Sequence, residues 1–109
     1  MSEITTHVLD AVLGKPAAGI AVRLDRLSSS TWTAIANGIT DTDGRCRDLG
    51  HNAEAGTYRL TFATAAYFNL HRRSSIYPEV AISFLVDGAS HYHIPLLLSD
   101  NSYTTYRGS

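Results

Sequence analysis

The chain has 109 residues, 44% hydrophobic and 17% charged, the make-up of one domain with a single core rather than of a disordered segment. Nine basic residues against ten acidic ones leave a formal charge of -1, and no Lys/Arg run is present to neutralise phosphates or anionic lipid, so neither nucleic acid nor a membrane is an expected partner. No apolar run reaches the length of a membrane span, the first residues lack a secretory pattern, and the lone Cys46 has no partner for an intrachain disulfide, so the cytoplasm is the expected compartment.

In chain order, Ile4 to Asp10 alternates as a short strand, with Ile4, Thr6 and Val8 on one face and Thr5, His7 and Leu9 on the other. Gly14, Lys15 and Pro16 then supply turn chemistry. Ile20 to Leu27 is a strand with Ile20, Val22 and Leu24 inward and Arg23 and Asp25 toward water. Trp32 to Ala36 is another, ended by Asn37-Gly38, a strong two-residue hairpin signal because both residues tolerate positive φ. Asp41-Thr42-Asp43-Gly44 reads as a β-turn that projects Arg45; the later ligands and closing Glu of a calcium loop are missing.

His51 to Gly56 is expected as a loop, and Thr57 to Phe62 as a strand with Tyr58, Leu60 and Phe62 inward. Ala63 to Arg72 is the single helix expected, with Tyr67 and Leu70 on one side. Val80, Ile82, Phe84 and Val86 then alternate along a strand that Asp87-Gly88 turns into the His91 strand. There Tyr92, Ile94, Leu96 and Leu98 make an apolar core face, while His91, His93, Pro95 and Leu97 make the other. Two imidazoles among apolar neighbours suit neither a core nor an ordinary wet surface, so that face is expected to floor a site covered by another subunit. Pro95 removes a ladder donor and points to an edge or a bulge. Roughly seven or eight short strands punctuated by Gly, Pro and Asn define an all-β antiparallel sandwich with one short helix, a single domain over residues 1–109.

The chemistry-bearing candidates are His7, His93 or His91, and Arg45. A neutral imidazole takes a proton from water near pH 7, and a guanidinium holds a carbonyl or a developing oxyanion with two donors. His91 and His93 on one strand face also permit a metal reading, but no second His pair is nearby and Cys46 has no obvious partner, so no metal is expected. A Gly-rich phosphate loop and a nucleophile elbow are both absent from the sequence, leaving a covalent Ser or Cys mechanism without support.

Thr6-His7-Val8-Leu9-Asp10, Gly14-Lys15-Pro16-Ala17, Asp43-Gly44-Arg45, the run from His91 to Ser99 and the ending Tyr103-Thr104-Thr105-Tyr106-Arg107-Gly108-Ser109 together resemble the 5-hydroxyisourate hydrolase family, the transthyretin-related enzymes of urate breakdown. The resemblance spans nearly the whole chain. Its Tyr-Arg-Gly-Ser ending is specific, because the hormone carrier transthyretin shares the fold but has lost it. Asp41 stands where many members have Asn, Asp100-Asn101-Ser102 replaces a common Pro-aromatic-Gly, and Ile76-Tyr77-Pro78 replaces a double-Phe version.

The resemblance implies a transthyretin-like sandwich of two four-stranded sheets, assembled as a homotetramer with the active site in the channel between dimers, and it puts the Pro95 strand inside its sheet. It implies hydrolysis of 5-hydroxyisourate without a cofactor. The implied catalytic residues are His7, Arg45, His93 and Ser109, the substrate contacts His7, Arg45 and Tyr106, and no metal takes part. The other reading is a transthyretin-like module that binds a small ligand without turning it over.

Overall fold

The period-two apolar rows of the sequence become the inner faces of two sheets. The computed structural model describes residues 2–109, apart from the side chains of Asp48 and His51. Its elements are β1 (Ser2–Asp10), β2 (Lys15–Pro16), β3 (Ala21–Ser28), β4 (Thr31–Ile39), β5 (Arg45–Ala53), β6 (Gly56–Phe62), α1 (Thr64–Leu70), β7 (Val80–Val86), β8 (His91–Leu98) and β9 (Tyr103–Thr105). One sheet runs β4-β3-β6-β7, and the other runs β2-β1-β8-β9 with β5 also on β1. β5 and β2 share one edge of β1, the first along Ser2 to His7 and the second at Leu9 and Asp10. The five-stranded sheet is therefore at most four strands wide, β2-β1-β8-β9 at Leu9 and Asp10 and β5-β1-β8 toward Glu3. Its β1–β8 pair is parallel, Thr5 facing His93 and His7 facing Pro95. β7 and β8 do not form a hairpin: the segment between them crosses from one sheet to the other, braced by the Tyr92 hydroxyl, which accepts from the N–H of Asp87 at 2.8 Å and donates to the Asp87 carboxylate. No helix among the described residues is long and apolar enough to cross a membrane.

Ile4 and Val8 of β1, Val22 and Leu24 of β3, Leu60 and Phe62 of β6 and Tyr92, Ile94, Leu96 and Leu98 of β8 are buried together. At about 1.5–3 kcal/mol for each large apolar side chain, this layer supplies the drive to fold. Thr6 joins it because its hydroxyl donates to the Ile94 carbonyl at 2.6 Å. Asp10 is fully buried at the end of β1, where Tyr67 of α1 donates to it at 2.7 Å and Arg73 pairs with both it and Asp100. That cluster ties the helix, the end of β1 and the β8–β9 turn together.

Several local expectations give way to packing. Asn37-Gly38 is not a turn: β4 runs straight through it, pairing Asn37 with Arg23 and Gly38 with Val22. The hairpin lies instead at Ser29-Ser30, whose φ of 50° and 67° give the doubly left-handed turn that twisted strands prefer. Gly38 is needed for another reason, since a Cβ there would run into Cys46 Sγ of β5. Asp25 is buried rather than facing water, because it lies between Arg23, two residues back on the same strand face, and Arg59, its direct partner on β6, each 3.1 Å away. β5 continues to Ala53, through half of the expected loop. On α1, Phe68 joins Tyr67 in the core and Leu70 is 80% exposed.

Pro95 lies neither at an edge nor at a bulge, since β8 runs between β1 and β9. The pairing of Leu96 with Thr105 and of His93 with Gly108 leaves Pro95 level with Tyr106, where β9 has ended. The missing N–H therefore falls in a gap of the ladder, and the Pro95 carbonyl accepts from the Thr105 hydroxyl at 2.8 Å.

Candidate active site

The outer face of the five-stranded sheet gathers the polar residues left over when β1, β5 and β8 turn their apolar rows inward. Arg45 opens β5 directly opposite His7 of β1. Its place is set by the preceding turn: the Asp41 carboxylate accepts from the N–H groups of Asp43 and Arg45, both at 2.9 Å, and Gly44 at φ 78° closes the bend. Hydrogen bonding from the Arg45 N–H is the largest influence on Asp41 and leaves its carboxyl below the usual range. On the far side of β1, His93 of β8 stands opposite Thr5. After β9 the chain returns to the same strand, where the Gly108 N–H donates to the His93 carbonyl at 2.8 Å. This last contact carries Ser109 to the cleft.

The cleft has a volume of about 330 Å³ and is lined by Glu3, Thr5, Thr6, Arg45, Arg47, His91, His93 and Ser109. Four of the residues singled out from the sequence, Arg45, His91, His93 and Ser109, thus meet in one place. His7 borders it on the same sheet face without lining it, and its Nε2 donates to the Asp43 carbonyl at 2.8 Å. In the neutral ring that fixes the proton on Nε2 and leaves Nδ1 as the acceptor. Tyr106 lies elsewhere, 55% exposed in a separate apolar groove with Ile82, Phe84 and Tyr92. Burial, and then the charges of Arg45, His91 and His7, hold His93 below the ordinary imidazole value of 6.5. His93 is therefore neutral at pH 7 and able to take a proton.

Sequence reasoning missed three residues of the cleft. Thr5 and Glu3 belong to the same alternating row as His7, and Arg47 follows Arg45 at the two-residue period, so each was findable once one neighbour was chosen. Gly108 belongs to the terminal segment Tyr106 to Ser109 that the resemblance brings to the site, but the need for glycine there exists only in three dimensions, since a Cβ would meet His93 Cδ2 at 2.6 Å. The described residues hold no group of three or more His, Cys, Asp or Glu able to bind a metal, and Cys46 is buried in the core.

The protein is a two-sheet β-sandwich with a guanidinium, a neutral imidazole and a hydroxyl around one outer cleft, groups whose chemistry suits proton transfer and a polar small molecule. Residues 4–108 match the model of the HIUase/Transthyretin family, and the chain belongs to that family. It is 40% identical over 109 residues, spanning 97% of this chain and 80% of the relative, to a protein of Salmonella dublin named 5-hydroxyisourate hydrolase. Among solved structures it resembles Klebsiella pneumoniae 5-hydroxyisourate hydrolase (TM-score 0.89, 35% identity, 100% of this chain and 94% of that one). It resembles transthyretin from Sparus aurata in the same measure (TM-score 0.92, 33% identity, 99% and 97%). Backbone shape therefore does not separate the two branches, and the discrimination falls to the cleft.

Proposed function

We propose that this protein hydrolyses 5-hydroxyisourate, opening its six-membered ring to 2-oxo-4-hydroxy-4-carboxy-5-ureidoimidazoline in urate breakdown. The observation that carries the reading is the meeting of Arg45, neutral His93 and Ser109 in one cleft. Water gives a proton to His93 as its oxygen attacks the ring carbonyl carbon, and Arg45 donates to the oxyanion that develops. His7, opposite Arg45, orients the substrate's polar edge, and Ser109 holds substrate or water. A ligand carrier has no use for this set of groups. The test is turnover: purified protein added to freshly prepared 5-hydroxyisourate must hasten loss of its ultraviolet absorbance, and an unchanged decay rate would overturn the reading.

The working form is a homotetramer in the cytoplasm, acting as one domain over residues 1–109. Support comes from the cleft itself, which lies open on an outer sheet face beside half-buried Leu9 and Leu97, a surface that a second copy would close. Light scattering of the purified protein should return four times the chain mass of 11.8 kDa; a monomer mass would refute the assembly.

A further inference from the structure

The parallel register of β1 and β8 sets Glu3 opposite His91 and Thr5 opposite His93. Thr5 is only 8% exposed, and its Oγ1 lies 2.8 Å from His93 Nδ1 and 2.9 Å from His91 Nε2. A threonine hydroxyl has one proton to give, so it cannot donate to both rings. When both rings are neutral, the satisfied arrangement has Thr5 accept from one imidazole and donate to the other. The state of one ring at this hydroxyl then sets the state of its neighbour.

We propose that Thr5 is a positioning residue that couples His93 to His91 as a proton relay, with Glu3 at its outer end. The proposal rests on the hydrolase reading, with His93 as the group that receives the water proton. Before attack, His93 Nδ1–H donates to Thr5 Oγ1, Thr5 donates to His91 Nε2, and His93 Nε2 is bare. As the water oxygen bonds to the ring carbonyl carbon, the carbonyl π pair moves onto its oxygen and the water proton goes to His93 Nε2. The Nδ1 proton of His93 passes to Thr5, and the proton of Thr5 passes to His91 Nε2. Threonine ends neutral, as it began. His93 ends neutral with its proton on Nε2, ready for the leaving ring nitrogen, and the return of that proton runs the relay backward.

The charge therefore comes to rest on His91 rather than His93. Charged groups facing the relay explain why that placement is favourable. A cation on half-buried His93 faces Arg45 and has His7 nearby, whereas His91 is more exposed, with its Nε2 3.8 Å from Glu3 Oε1. Arg47 lines the same cleft from β5.

Two measurements on the intact protein test the relay. In a 15N NMR titration the His91 and His93 rings should change protonation together in the wild type and independently in Thr5→Val; independent titration in the wild type overturns the proposal whether or not the protein is a hydrolase. In turnover of 5-hydroxyisourate, Thr5→Val and His91→Asn should each lower kcat by about tenfold or more with KM little changed. Thr5→Ser should restore the rate, and the Thr5→Val/His91→Asn double variant should be no slower than either single one. An active wild type with an equally active Thr5→Val variant, or losses that multiply, would refute the relay while leaving the hydrolase reading intact. An inactive wild type would sink that reading instead.

Discussion

Gly108 lies against the ring of His93, so close that an added Cβ would stand 2.6 Å from Cδ2, while its N–H donates to the His93 carbonyl at 2.8 Å. The terminal segment and the imidazole are thus placed by one contact. Gly108→Ala must push the ring or the segment aside and move Ser109 relative to Arg45. We expect kcat/KM for 5-hydroxyisourate to fall by about 10²-fold, the cost of roughly 1 Å of misplacement. The melting temperature should stay near that of the wild type, because the segment is largely exposed and outside the core. Steady-state kinetics beside a thermal melt will show whether the loss is one of geometry.

His93→Asn should lower kcat by about 10² to 10⁴, the usual worth of general-base assistance. Because burial and the charge of Arg45 hold His93 below 6.5, the acid limb of kcat/KM should fall below that pH. Arg45→Met removes one of the charges opposing protonation, so the same limb should move upward as the rate drops. A pH–rate profile of wild type and variant checks both directions.

Asp10 and Arg73 govern stability rather than catalysis. Burial raises the Asp10 carboxyl, but hydrogen bonds from Arg73, the Leu13 N–H and Tyr67 outweigh it and hold the group at about 2, against 3.8 in the unfolded chain. A depressed carboxyl contributes stability that is full above about pH 5 and lost as pH falls toward 2, about 2 kcal/mol in all. Urea unfolding at pH 7 and pH 3 should show about half of that loss, because pH 3 still lies above the folded-state value. Arg73→Leu should cost about 3–5 kcal/mol at pH 7, since it leaves a buried carboxylate without its partner.

Gly38 and Cys46 should show mutual dependence. Gly38→Ala forces a methyl into Cys46 Sγ and should cost about 1–3 kcal/mol. Cys46→Ala in the same chain removes the clash, so the double variant should recover part of that loss. Additive losses in urea melts would show that the clash is not the cause.

The core faces were legible because alternation is a local property: Ile4, Thr6 and Val8, and Tyr92, Ile94, Leu96 and Leu98, are buried as the two-residue period requires. Features set by a second strand were not. Asn37-Gly38 has turn chemistry, yet the glycine answers to Cys46, which follows it at the start of another strand. Asp25 looks solvated until Arg59, far along the chain, packs beside it. Pro95 seemed to demand an edge because nothing local reveals that β9 stops one residue short of it. In the cleft, the chemistry of Arg45 and His93 could be argued from residue type, whereas Thr5 gains meaning only through its register with His93. Tyr106, singled out through the resemblance, sits in a different groove of the protomer.

We propose that the cleft of Arg45, His93 and Ser109 opens the ring of 5-hydroxyisourate. The most direct test follows the absorbance of freshly generated 5-hydroxyisourate with no protein, with wild type and with Arg45→Ala. Accelerated decay with wild type, reduced by about 10²- to 10³-fold in the variant, is the predicted result. Decay at the uncatalysed rate with wild type would contradict it and leave a small-ligand binding module as the reading, while full activity in Arg45→Ala would place the chemistry outside this cleft.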